Sequence, residues 1–156
     1  MHGGSLRIVA APHADITPSL EMKELLEFER RRGLDRADTW VAFGTRISRK
    51  IEIVRDVLGM LSRQYSIWGY GAAGKATMWV NACQMSYLGG MVDASPLRAG
   101  KFMPGTHTPI VFPDEFKRAQ PQYVFITAWN YADVITANES WYRGTWAVPL
   151  PELKFF

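Results

Sequence analysis

Apolar residues recur along this chain with two different periods, and the period changes near residue 65. Before that point they are spaced by three and four, as on one face of a helix; they are Trp40, Phe43, Ile47, Ile51, Val54, Leu58 and Leu61. This stripe predicts a long helix with a core-facing side, capped by Asp38 or Thr39. A short strand over 6–11 and a helix that starts at Thr17-Pro18 and stops at Gly33 are predicted to precede it.

After residue 65 the pattern alternates between predicted strands and helices. The predicted strands are Tyr65–Trp68, Gly90–Asp93, Tyr123–Thr127 and Thr145–Val148, and the predicted helices are Lys75–Cys83 and Asn130–Trp141. Such alternation indicates a mainly parallel sheet with helices on both faces. Ser95–Pro121 is rich in proline, so we expect a loop there with at most a short helix near Asp114–Arg118.

The predicted fold class is therefore α/β, a Rossmann-like sheet preceded by a helical N-terminal segment. With 156 residues, the chain is long enough for one sizeable core and too short for two ordinary domains. We expect residues 1–63 to form a junction strand and helical segment that pack on a compact domain over 64–156.

Charge and cysteine content exclude several classes of protein. The net charge is +3, and much of the basic excess lies in Arg30–Arg32 at a predicted helix end, which favours a solvated face over a nucleic-acid patch. The lone cysteine, Cys83, excludes an intramolecular disulfide. Without an apolar run of membrane-spanning length or a signal peptide, we expect a cytoplasmic protein with neither nucleic acid nor membrane as partner.

A glycine-rich turn between a predicted strand and helix is the strongest local signal. Gly69, Gly71 and Gly74 give the spacing G-x-G-x-x-G, followed directly by Lys75. Glycines at this place allow close backbone approach, and free amides at the helix start can bind an anion such as a phosphate or carboxylate. The alternative is that the glycines only pack the helix on the sheet.

Asp93 closes the next predicted strand, 24 positions after Gly69. In dinucleotide-binding folds an acid near this interval binds a ribose hydroxyl. On pattern alone, an NAD-binding domain of an oxidoreductase is therefore an alternative function.

Two further segments carry candidate site residues. Lys101, Gly105 and His107 lie in the long proline-rich loop, where His107 is either a polar contact for a ligand or a partner for backbone. Trp129 and Asn130 follow a predicted strand. Asn130 either contacts a ligand or only caps the next helix, and Trp129 could stack on a base or sugar. No histidine has a carboxylate at a metal-ligand interval, so we predict no metal.

The chain resembles the C-terminal domain of SAM-dependent C-methyltransferases, including those that methylate nucleotide-linked keto-sugars. The resemblance rests on His2-Gly3-Gly4-Ser5-Leu6-Arg7, Gly69–Lys75, the run from Asp93 to Ile110 with its Pro104-Gly105-Thr106-His107, and Ala128–Asp133. The chain departs from the usual pattern at Gly74-Lys75-Ala76 and at Val134, so the resemblance leaves the acceptor open.

The resemblance implies that this chain and a preceding domain of a longer enzyme have different roles. SAM and the catalytic residues belong to a preceding domain, so the fragment itself is expected to bind no cofactor, to contain no catalytic residue and to be inactive alone. Its partners would be that SAM-binding domain, joined at His2, Gly3, Gly4 and Ser5, and a nucleotide-sugar or other phosphorylated substrate.

The substrate is expected to contact the residues named above. They are Gly69, Gly71, Ala72, Gly74, Lys75, Asp93, Lys101, Gly105, His107, Trp129 and Asn130. A third reading is a purely structural module, which predicts an apolar docking surface of Trp129, Tyr131 and Met103.

Overall fold

The computed structural model describes residues 7–9, 12 and 17–156, in two compact units. The first unit ends at Ile47, and the second comprises Ser48–Phe156. The helices are α1 (Leu20–Arg31), α2 (Ala37–Leu61), α3 (Gly74–Ala82), α4 (Pro113–Ala119) and α5 (Ala132–Asn138), with a 3-10 turn at Trp129–Tyr131. The strands are β1 (Ile67–Tyr70), β2 (Met91–Val92), β3 (Ile110–Val111), β4 (Tyr123–Ile126), β5 (Thr145–Val148) and β6 (Lys154–Phe155).

Helix α1 begins later than the sequence predicted. Its cap is Ser19, whose hydroxyl oxygen accepts a hydrogen bond from the Met22 amide at 3.3 Å, so the predicted start at Thr17-Pro18 is wrong. Ser19 has the extended backbone of an N-cap, and its hydroxyl reaches the amide three positions further on. The predicted stop at Gly33 is confirmed by its φ of +66°.

The predicted core stripe of α2 is buried only toward its C-terminal end. Val54 and Leu58 are buried, whereas Trp40 is 55% and Phe43 45% exposed. The prediction that the whole stripe is core is therefore wrong for its first part, which belongs to the first unit. Helical spacing identifies an apolar face but not what covers that face.

The second unit contains one sheet with strand order β3-β2-β1-β4-β5-β6. The first five strands are parallel, with Gly69 opposite Met91 and Phe125 in the neighbouring strands. Strand β6 pairs antiparallel with β5. The predicted Rossmann-like α/β fold is confirmed.

Each face of the sheet is covered by helices. Val54 of α2 and Val80 of α3 pack with Phe125 on one face. Phe116 of α4 packs with Val124 and the aromatic residues around it on the other. Neighbouring residues of β4 serve opposite faces, because successive strand side chains point to opposite sides.

Several elements differ from the sequence expectations. The loop predicted over 95–121 contains β3, and β6 was not predicted; both are two-residue strands with too little periodicity to detect. The helix predicted from Asn130 to Trp141 is a 3-10 turn followed by a shorter α5. Of the strand predicted over 6–11, only residues 7–9 are described, and they are not in a strand.

No helix within the described residues is long and apolar enough to cross a membrane.

Candidate functional site

The candidate site lies between two neighbouring parallel strands whose following segments lead to opposite faces of the sheet. Strand β1 lies between β2 and β4, so the strand order reverses at the β1–β4 pair. The glycine turn follows β1 and Ala128–Asn130 follows β4, so both leave the carboxyl edge of the sheet. In open α/β sheets this reversal point leaves a crevice where ligands bind.

The three glycines of the turn have different roles. A Cβ on buried Gly69 would lie 2.4 Å from the Met91 methyl carbon, so this glycine is needed for packing. Gly71 has a φ of +96°, which an L side chain rarely adopts. A Cβ on Gly74, at the start of α3, would meet no atom within 4 Å. The first two glycines therefore have structural reasons, and Gly74 leaves open space beside the helix start.

Thr127 joins the glycine turn to the end of β4. Its buried hydroxyl lies 3.0 Å from the Tyr70 carbonyl oxygen and 2.6 Å from that of Gly71. The same side chain lies 3.4 Å from the position of a Cβ on Gly71. The turn is thus held against the neighbouring strand, and any side chain at residue 71 would crowd that contact.

Lys75, Trp129 and Asn130 meet across the site. The Lys75 ammonium donates to Asn130 Oδ1 at 2.9 Å and lies 4.8 Å from the centroid of the Trp129 ring. A cation over an indole face is attracted by the ring's negative face. Because Lys75 covers this face of Trp129, the indole orients the lysine here rather than presenting that face to a base.

Asp93 closes the opposite side of the turn. Its Oδ2 accepts from the Ala72 amide at 2.8 Å and from Arg98 Nε at 2.9 Å. Its Oδ1 accepts from the Ser95 amide at 2.8 Å and from Arg98 Nη2 at 3.1 Å. The Asp93 side chain is buried, whereas the Arg98 side chain is 45% exposed.

The remaining predicted site residues lie on a separate segment. Lys101, Gly105 and His107 are exposed, and Phe102 forms an antiparallel bridge with Pro109 directly before β3. Asn81 of α3 holds the segment by donating to the Pro104 carbonyl at 2.9 Å. Asn81 is six residues beyond Lys75, or about 9 Å along the helix axis.

The structure therefore brings together one part of the predicted site. The glycine turn, Lys75, Trp129 and Asn130 share the β1–β4 crevice, with Asp93 behind the turn. The predicted junction residues His2, Gly3, Gly4 and Ser5 lie outside the described residues. Met103 is buried, so it does not contribute to the surface patch that the purely structural reading predicted.

Three residues that support this arrangement were not singled out from the sequence. They are Thr127, Arg98 and Asn81. Arg98 lies five positions after Asp93, and this spacing in a loop gives no periodic signal. Thr127 was treated only as the last residue of a strand. Each acts through a contact distant in sequence or formed in a loop, which local patterns do not specify.

A second polar cluster lies on the face of the sheet that α4 covers. The Tyr70 hydroxyl donates to Glu139 Oε1 at 2.6 Å, and the Trp141 indole donates to Oε2 at 2.7 Å. Burial, followed by the bond to Glu139, raises the pKa of Tyr70 well above its ordinary value. The phenol is thus held as a hydrogen-bond donor to Glu139 in a partly buried cluster.

Comparisons with known proteins agree with each other. A family model described as "C-methyltransferase C-terminal domain" matches residues 1–151. C-methyltransferase NovU of Streptomyces niveus is 32% identical over 161 residues, covering 97% of this chain and 38% of that protein. The chain thus spans about two fifths of the length of this curated relative.

Proposed function

Because this chain belongs to the C-methyltransferase C-terminal domain family, we propose that it is the part of a SAM-dependent enzyme that holds the methyl acceptor. The family predicted from the sequence is confirmed. The observation that carries the proposed role is the meeting of the glycine turn with Lys75, Trp129 and Asn130 at the reversal point of the sheet.

The acceptor we propose is a nucleotide-linked keto-sugar or a related phosphorylated compound. Helix α3 begins directly after the glycine turn, so the positive end of its dipole lies at the crevice, an arrangement that favours phosphate. Lys75 adds a full positive charge, held by Asn130 and Trp129. The open space at Gly74 leaves room for a diphosphate to approach the backbone.

On this account methyl transfer itself takes place elsewhere in a longer polypeptide. SAM would supply the methyl group, bound by the remainder of the enzyme, and the present residues would bind and orient the acceptor. Conversely, the fragment alone would not catalyse methylation. The 38% share of NovU that the chain covers leaves ample length for a SAM-binding domain in such an enzyme.

The partner domain is proposed to dock on the exposed apolar residues of the first unit. Leu20, Phe28, Trp40 and Val41, on two consecutive helices, are between 45% and 69% exposed, and burying such apolar side chains against another domain would be favourable. In a longer chain that includes the SAM-binding domain, the amides of α1 should exchange with solvent more slowly than here. Equal exchange rates would contradict this docking.

Titration calorimetry with UDP, dTDP, GDP, NADH and SAM tests the proposed role. Low ionic strength keeps a phosphate contact measurable. We expect at least one nucleoside diphosphate to bind and SAM not to bind. Tight NADH binding would favour an oxidoreductase domain, and no binding of any of the five would favour a purely structural module.

A further inference from the structure

The carboxylate of Asp93 has no capacity left for a ligand. An ionised carboxylate has about four lone-pair positions, and four protein N–H groups point at this one: the amides of Ala72 and Ser95 and two from Arg98. Each oxygen accepts one backbone amide and one guanidinium N–H. All four donor–acceptor distances lie between 2.8 and 3.1 Å.

This occupancy conflicts with the ribose role that the spacing suggested. To bind a ribose diol, Asp93 would have to release one of these donors. The carboxyl side chain is only 8% exposed, and Ala72, whose amide would lose its partner, is itself buried. A buried amide without an acceptor is costly, so exchange of a protein donor for a sugar hydroxyl is unfavourable.

The four bonds connect two segments that leave neighbouring strands. Ala72 lies in the glycine turn after β1, while Ser95 and Arg98 lie in the loop after β2. Asp93 therefore ties the turn to the adjacent loop, and Arg98 balances its charge. Without that balance, a buried negative charge next to the turn would repel a phosphate.

We infer that Asp93 is a positioning residue that, together with Arg98, holds the glycine turn in the shape required by the acceptor's diphosphate. It does not contact the ribose. The inference rests on the proposed function for the identity of the ligand, whereas the role of Asp93 in holding the turn is independent of any ligand.

The test compares Asp93→Asn with the wild-type chain using two probes, UDP and inorganic pyrophosphate. The amide side chain replaces one acceptor oxygen by a donor, so the Ala72 or Ser95 amide loses its partner. A positioning role predicts that affinity for both probes falls by the same factor, about tenfold. A ribose contact predicts a loss for UDP alone, since pyrophosphate has no ribose, and that result would overturn the inference.

Amide hydrogen exchange in the ligand-free protein gives a second readout. Asp93→Asn should speed exchange of the Ala72 or Ser95 amide by about tenfold or more, since the lost bond protects one of them. Unchanged exchange at both would refute the positioning role. The matched control, Asp114→Asn, removes an exposed carboxylate at the start of α4 and should leave the affinities and these two amides unchanged.

Two outcomes separate this inference from the proposed function. If wild-type protein binds neither probe, the proposed function fails, while the exchange measurement still decides the role of Asp93. If Asp93→Asn does not fold, Arg98→Lys keeps the charge but removes the paired N–H geometry. Arg98→Lys should also speed amide exchange and weaken binding of both probes, but by smaller factors. If exchange and both affinities of Arg98→Lys equal those of wild type, the inference is overturned.

Discussion

Lys75 shows how one side chain can link elements distant in sequence. It extends from the first turn of α3, and its ammonium is held by Asn130 and the Trp129 ring after β4. The sequence predicted that the turn and Trp129–Asn130 each follow a parallel strand, but the contacts that the Lys75 ammonium makes with these two residues, more than 50 positions away, are seen only in the fold.

Replacing Lys75 by alanine should weaken binding of a nucleoside diphosphate by roughly 1 to 3 kcal/mol, the value of a charge-assisted contact. Calorimetry at low salt measures this difference. The matched control is Lys117→Ala, which removes another lysine that lies over a tryptophan ring, Trp141, at 5.9 Å. Equal affinity of the Lys75 variant and wild type would remove this lysine from the site.

Cys83 illustrates burial acting on a titratable group outside the site. Its thiol is packed between α3 and α2, 3.6 Å from the Ile51 carbonyl oxygen. Burial raises the pKa of this thiol from about 9 to about 11, against a smaller opposing effect of Arg55. The folded state therefore retains the proton to higher pH than the unfolded state.

The resulting contribution to stability is fully present below about pH 9 and is lost as the pH rises toward 11. In urea unfolding over that range, wild-type stability should fall more steeply than that of Cys83→Ala, by roughly 1 to 3 kcal/mol in total. Burial also raises the pKa of Tyr142, which acts in the same direction in both proteins and cancels in the comparison. Parallel pH profiles would contradict this account.

The glycine at the start of α3 has no packing or backbone requirement, so a ligand is a possible reason for it. Gly74 has no positive φ and no neighbour that a methyl group would meet. Gly74→Ala should leave stability unchanged or raise it by about 0.5 to 1 kcal/mol, yet weaken binding of a diphosphate that approaches the backbone there. Urea unfolding and calorimetry measure the two effects.

Gly59→Ala is the matched control, because this α2 glycine also faces open space. It should gain stability as Gly74→Ala does and leave ligand affinity unchanged. If Gly74→Ala also leaves affinity unchanged, the ligand does not approach the helix start.

The segment 100–110 provides a second comparison between glycines. Gly100 and Gly105 both have positive φ, but a Cβ on Gly100 meets nothing, whereas one on Gly105 would lie 1.9 Å from Asn81 Oδ1. Gly100→Ala should lower stability by about 1 kcal/mol through backbone strain. Gly105→Ala should lower it more, because the added methyl group also displaces Asn81 from its hydrogen bond with Pro104. If both variants lose the same stability in thermal unfolding, Asn81 can move aside at no cost in free energy.

The predictability of elements follows their patterning and flanking turns more than their length, since the two-residue β2 was predicted within Gly90–Asp93, whereas the four-residue β1 was predicted two residues too early, at Tyr65–Trp68. The four-residue strands β4 and β5 and helix α3 were found close to their true positions, because apolar patterning and the flanking turns agree there. Strands β3 and β6 have two residues each and depend on their neighbours in the sheet. The exposed start of α2 was misread because an apolar stripe looks alike whether or not something covers it.

For the whole molecule, the alternation of strands and helices was enough to predict the parallel sheet and the fold class. The convergence of the glycine turn with Trp129 and Asn130 was also foreseeable, since both follow parallel strands. The position of the segment with Lys101, Gly105 and His107, which Asn81 holds at the Pro104 carbonyl, was not foreseeable, because it depends on how the long loop returns to β3. The full occupancy of Asp93 likewise depends on Arg98, whose contact arises in that loop.

Amide chemical-shift mapping locates the nucleotide part of the acceptor, which we propose binds at the β1–β4 crevice. A ¹⁵N-labelled chain would be titrated with UDP, dTDP or GDP, whichever binds in calorimetry. We expect the largest shifts in residues 69–75 and 127–131, with little change in α4 or β6. Shifts concentrated elsewhere, or none at saturating nucleotide, would contradict this proposal.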